Sequence, residues 1–162
     1  KIEEWVNDGG KLIALAGALN IFADTENFAL KKKNPKNQTE KTIPYTEMER
    51  SDISGSTSGS IFKATLDKTH PIGYGMERYY TLKLNTDAFY LLENFGNVFY
   101  LDKNADAISG FIGYKAKQRQ KNSLLVGQEN YGDGVLIYFV DNPLFRGFWY
   151  SGKQLFSNAL FF

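Results

Sequence analysis

Residues Ile2 to Phe22 carry the pattern that most restricts the fold. Ile2, Trp5 and Val6 recur at the i, i+3, i+4 spacing of one helix face, and Gly9-Gly10 ends that helix where a left-handed cap is needed. Lys11-Leu12-Ile13-Ala14-Leu15 is then a short apolar run bounded by glycine, which in this position predicts a buried parallel strand. Gly17 follows at once, and Ala18-Leu19-Asn20-Ile21-Phe22 returns to helical spacing. Helix, glycine pair, strand, tight turn and helix together predict a doubly wound α/β sheet.

Size and composition agree with one such domain over residues 1–162. A chain of this length can bury roughly 70% of its unfolded surface, and 13 Phe and 10 Tyr give it a ring-packed interior. The absence of an initiator Met, the helical opening at Lys1-Ile2-Glu3-Glu4 and the apolar stop at Leu160-Phe161-Phe162 predict a domain cut from a larger protein.

From Asp24 to Ser60 the pattern dissolves into Lys, Asn, Thr, Glu and Ser, which predicts a long loop or insertion over residues 24–60. Its end, Ser54-Gly55-Ser56-Thr57-Ser58-Gly59-Ser60, has the composition of a flexible linker. It lacks the Lys and following helix of a phosphate-binding loop. Strands are expected at 61–66 and 80–84, with less defined ones at 88–92, 98–101 and 108–114. Ser123-Leu124-Leu125-Val126-Gly127 and Val135-Leu136-Ile137-Tyr138-Phe139-Val140 should pair as an antiparallel hairpin through Tyr131-Gly132-Asp133-Gly134. Leu155, Phe156, Ala159 and Leu160 form the apolar stripe of a last helix entered near Ser151.

Charge and residue types remove several function classes. With 19 basic and 18 acidic side chains the net charge is +1, so no global field gathers nucleic acid or an anionic membrane. Lys31-Lys32-Lys33 with Lys36 and Lys41 is interleaved with Asn, Gln and Pro and reads as a solvated loop. No window approaches the roughly 18 apolar residues of a membrane span. The sequence has no Cys, which excludes disulfides, thiolate metal sites and a cysteine nucleophile. His70 is the only histidine, so neither a zinc site nor a serine triad has its usual partners; a turn-capping role before Pro71 is expected instead.

Three features remain. Ile13-Ala14-Leu15-Ala16-Gly17-Ala18 has the shape of a nucleophile elbow but places Ala16 where the reactive side chain would project. Asp102, Asp106, Glu129, Asp133 and Asp141 are numerous enough for a carboxylate pair, but spacing places no two across one cleft. Asp141-Asn142-Pro143-Leu144-Phe145-Arg146-Gly147-Phe148-Trp149 follows a buried strand directly, where open α/β sheets bind ligands or partners. The alternative is internal: Asp141 caps the turn and pairs with Arg146 while Trp149 packs. Ala16, His70, Asp141, Arg146 and Trp149 are therefore the candidate contact residues.

The motif at 140–149, with Glu4-Trp5-Val6-Asn7-Asp8-Gly9-Gly10-Lys11-Leu12-Ile13-Ala14-Leu15 and Asp67-Lys68-Thr69-His70-Pro71-Ile72-Gly73-Tyr74-Gly75, resembles the C-terminal region of large bacterial zinc carboxypeptidases. The first and last of these three in chain order bracket nearly the whole chain. The resemblance implies a flavodoxin-like, class I glutamine-amidotransferase-like three-layer sheet. In that superfamily the elbow carries a catalytic Cys; Ala16 stands at the matching position, so amidotransferase chemistry is not implied. Zinc is expected in the parent's peptidase domain through an H-x-x-E pair and a distant His, none of which maps here. The resemblance thus implies a non-catalytic accessory domain of a secreted or periplasmic peptidase, with no cofactor of its own and the parent's peptidase domain as partner. The alternative is a module that binds a peptide or small polar ligand in the degenerate cleft.

Overall fold

The computed structural model describes residues 1–33, 43–93 and 96–162. Lys36, Lys41 and the middle of the expected 24–60 loop lie outside the described residues.

The opening unit forms where its pattern predicts, but of the expected helix face Ile2, Trp5 and Val6 only Val6 is buried. Helix α1 spans Ile2–Asn7, Gly9 takes φ 106°, and strand β1 spans Lys11–Leu15. Gly10 is required by packing, because a Cβ there would lie 2.6 Å from the Trp5 ring. The segment after β1 winds into a tighter 3-10 helix, Ala16–Ile21. Only Leu19 within it is buried, enough apolar anchor for one short turn and no more.

Seven strands form one mixed sheet in the order β1-β7-β6-β4-β2-β3, with β5 also paired to β2. They are β2 (Thr57–Leu66), β3 (Tyr79–Lys83), β4 (Gly96–Leu101), β5 (Ala107–Ile112), β6 (Ser123–Tyr131) and β7 (Gly134–Phe139). β1 runs parallel to β7, with Lys11 opposite Val135 and Leu15 opposite Phe139. The other described pairings are antiparallel. The expected parallel sheet is thus realised at one pair, and β1 is an outermost strand in which only Ala14 is buried, rather than a central one. The late hairpin forms as expected, with Tyr131 opposite Gly134.

Helix α2 (Tyr45–Gly55) and the first residues of β2 replace what the sequence predicts as loop and linker. α2 is rich in good helix formers, Glu47, Met48, Glu49 and Arg50, but buries no residue, so it has no apolar stripe to betray it. The Gly/Ser run is extended because it pairs closely with β5: a Cβ on Gly110 would sit 2.2 Å from the Gly59 carbonyl oxygen. Residues 88–92 are irregular instead of a strand; Lys32 and Phe89 form an isolated bridge there. Tyr114 opens helix α3 (Tyr114–Gln120) instead of ending a strand.

Alternation along β7 separates two apolar layers. Ile137 and Phe139 join Phe62, Val98, Phe99 and, from helix α4 (Tyr150–Phe161), Leu155 and Ala159. Leu136, Tyr138 and Val140 join Val6, Leu19, Phe22, Phe28 and Leu30 on the other face. The result is a mixed α/β sheet with apolar layers on both faces.

Candidate functional site

β1 and β7 are parallel, so their C-terminal ends bring Ala16 and the segment from Asp141 to one end of the sheet. Ala16 takes φ 48°, the left-handed region that side chains rarely adopt. The backbone therefore makes a left-handed turn at the position where the elbow is expected, and the side chain there is a methyl group.

Asp141 continues the β7 alternation and turns onto the face of Ile137 and Phe139. Its Oδ1 lies 3.0 Å from the Lys83 ammonium, whose side chain is fully buried. Its Oδ2 accepts a hydrogen bond from the Thr81 hydroxyl at 3.0 Å. Lys83 also donates to the Asp87 carbonyl at 3.0 Å, so a second of its N–H donors is satisfied beside the counter-charge. A buried ion is tolerated when both a counter-charge and further polar partners meet it. Tyr79, next on the same face of β3, has its phenol pushed well above the ordinary tyrosine range by burial and, second, by the Asp141 charge. This group of Tyr79, Thr81, Lys83 and Asp141 is the one the sequence reading lacks, apart from Asp141 itself.

Arg146 does not pair with Asp141. It is exposed, takes φ 49°, and places its guanidinium 5.1 Å from the Phe145 ring centre. The expected internal Asp141–Arg146 pair is replaced by Asp141–Lys83, because Asp141 points under the loop toward β3 while the left-handed turn at Arg146 and Gly147 carries the guanidinium outward. Trp149 packs inward as expected: its indole N–H donates to the Tyr80 carbonyl at 2.8 Å, and its ring lies against the core.

His70 caps the 3-10 turn Pro71–Gly73, its Nδ1 accepting from the Ile72 amide at 3.2 Å. Burial lowers its pKa, opposed by the nearby Asp67 carboxylate. Its other edge lies against β4, where a Cβ on Gly96 would come within 2.9 Å of Nε2. The contacts of His70 run to its own turn and to β4, so it joins neither Ala16 nor Asp141.

Of the other acidic candidates, Asp133 is exposed in the β6–β7 turn and three have donors of their own. Asp106 pairs with Lys117, Asp102 accepts from the Asn104 amide at 2.7 Å, and Glu129, buried, accepts from Ala29 and from the Tyr138 hydroxyl, each at 2.9 Å. Among the described residues no three His, Cys, Asp or Glu side chains converge as metal ligands. A zinc site does not fit the one His, whose Nδ1 already accepts a backbone proton. No helix among the described residues is long and apolar enough to cross a membrane. No protein-family model, no curated protein and no solved structure matches this chain.

Proposed function

We propose that this chain is a non-catalytic accessory domain, C-terminal to the peptidase domain of a secreted or periplasmic bacterial zinc carboxypeptidase, on which it packs. The observation that carries the reading is Ala16. At the end of a strand parallel to its neighbour, the backbone adopts the left-handed turn on which an amidotransferase-like fold mounts its nucleophile, and the side chain there can perform no chemistry. The flavodoxin-like assignment belongs to the same proposal. It draws support from the β1–elbow–3-10 unit, the parallel β1–β7 pair and the apolar layers on both faces, while the antiparallel run from β6 to β3 departs from it. A ligand-binding cleft has less support, since Asp141, the group that would face a ligand, is held by Lys83 and Thr81.

The test is the coding sequence ahead of Lys1, followed by production of that longer chain. An H-x-x-E motif with a distant His, one zinc per chain, and tighter thermal coupling of the two parts than of the two mixed separately are expected. An upstream region without those ligands would overturn the reading. Replacing Ala16 by Cys should yield no glutamine hydrolysis, because no histidine is positioned to activate the thiol.

A further inference from the structure

The loop from Asn142 to Phe148 is fastened to β3 at both ends. Before it, Asp141 holds Lys83 and Thr81; after it, Trp149 donates to the Tyr80 carbonyl. The loop also lies directly on the first turn of α4, since a Cβ on Gly152 would come within 1.8 Å of the Pro143 carbonyl oxygen. Between the two fastenings Arg146 and Gly147 take φ 49° and 69° in succession. A non-glycine residue in that region is strained, so the surrounding contacts must impose it. The outcome is a stiff tip that puts Arg146 and Phe148 into solvent, beside Tyr150 and Lys153 of α4.

The chemistry of this tip is uniform. Arg146 sits over the Phe145 ring, and the Lys153 ammonium lies 4.6 Å from the Tyr150 ring centre. Neither cation has a carboxylate partner among the described ion pairs. Phe148 and Tyr150 are 53% and 78% exposed. Two cations, each held against a ring, flank the exposed Phe148 and Tyr150 in the sequence and match carboxylates spaced around an apolar side chain. Arg146 offers a planar fork for bidentate carboxylate binding.

We propose that residues 145–153 form a docking surface for an acidic polypeptide segment, Arg146 and Lys153 taking its carboxylates and Phe148 and Tyr150 the apolar side chains between them. The surface is independent of what this chain is joined to. Single-stranded nucleic acid fits less well, because it needs a track of cations along its backbone; here there are two.

The full 162-residue chain, isotope-labelled, is titrated with a capped hexapeptide alternating Glu and Leu. The same peptide with Gln for Glu, and oligothymidine, serve as comparisons. Amide shifts confined to residues 143–154 are expected, weakening as salt is raised. The double variant Arg146→Gln, Lys153→Gln should bind about fivefold more weakly, whereas Lys63→Gln with Lys103→Gln should bind as the parent does. Both doubles change exposed side chains, and unaltered melting confirms that they fold. Unchanged binding by the first double, equal binding of the Gln peptide, tighter binding of oligothymidine, or no shifts in this segment would each overturn the proposal.

Discussion

Trp149 and His70 show how single side chains at the strand ends serve the fold. Trp149 combines a ring against the core with an indole N–H satisfied by the Tyr80 carbonyl. Removal of a large packed ring costs about 3 to 5 kcal/mol, so Trp149→Ala should lower stability by about 3 kcal/mol, nearer the lower end because the ring is half-buried. Trp149→Phe keeps most of the ring and should cost about 1 kcal/mol for the lost hydrogen bond; denaturant melts of the two variants separate packing from polar contact. His70 is depressed by burial, so the unfolded chain binds more protons there than the folded one as pH falls below the ordinary histidine value. The stability it supports is fully present above that value and is lost as pH drops toward the folded pKa. His70→Asn retains a side-chain acceptor for the Ile72 amide without titrating. Its unfolding free energy should therefore match the parent near pH 7 and fall less steeply as pH drops below about 6.5; an unchanged slope would show that another group sets it. The roles of both residues were legible in sequence: a lone His before Pro reads as a cap, and a Trp closing a post-strand motif reads as packing. Lys83 was not legible. Hydrophobic alternation in Tyr80-Thr81-Leu82-Lys83-Leu84 favours burying the leucines, yet β3 buries Tyr79, Thr81 and Lys83 and leaves Leu84 half in solvent. The reason is Asp141, 58 residues away (141 − 83), whose charge makes the polar face the buried one. No local pattern records that partner.

At the scale of elements, glycines decide where helices can seat. Gly152 lies in the first turn of α4, and its would-be Cβ overlaps the Pro143 carbonyl, a backbone atom that cannot swing aside. Gly17, on the exposed 3-10 helix after β1, has nothing within 4 Å. Gly152→Ala should therefore destabilise by at least about 1 to 3 kcal/mol, although alanine is the better helix former, while Gly17→Ala should stay within about 0.5 kcal/mol. Thermal melts of both report on the seating of α4 against the 142–149 loop, and an innocuous Gly152→Ala would contradict the close approach. The elements themselves were legible where apolar periodicity exists. The β6–β7 hairpin and α4 follow from their patterns, because the hairpin buries apolar residues of both strands and α4 buries Leu155 and Ala159, although Leu160 of its expected stripe is exposed; α1 forms where expected, but of Ile2, Trp5 and Val6 only Val6 is buried. α2 failed that reading for the converse reason: it buries nothing, so its helix formers leave no period to detect. The Gly/Ser stretch at the start of β2 failed because small residues allow two backbones to meet as well as they allow a chain to move.

For the whole molecule, the notable contact joins distant parts of one sheet. β7 and β3 are separated by β6, β4 and β2 in the strand order, yet Asp141 at the end of β7 reaches Lys83 and Thr81 on β3. The sheet must curl over the layer containing Phe62, Phe99 and Phe139 for those groups to meet, and the Trp149–Tyr80 bond ties the same two regions again. Asp141 at this strand end is thereby bound by the protein's own Lys83 and Thr81, and Arg146 is left exposed. A double-mutant cycle tests this division most directly. Removing one partner of a buried ion pair costs about 3 to 5 kcal/mol, because the other charge is stranded, and residues in contact couple where distant ones do not. Unfolding free energies are measured for Asp141→Ala, Lys83→Met, Arg146→Ala and the two doubles that contain Asp141→Ala. Coupling above about 1 kcal/mol between Asp141 and Lys83, with less than about 0.5 kcal/mol between Asp141 and Arg146, is the predicted result; strong coupling of Asp141 to Arg146 with none to Lys83 would contradict the account.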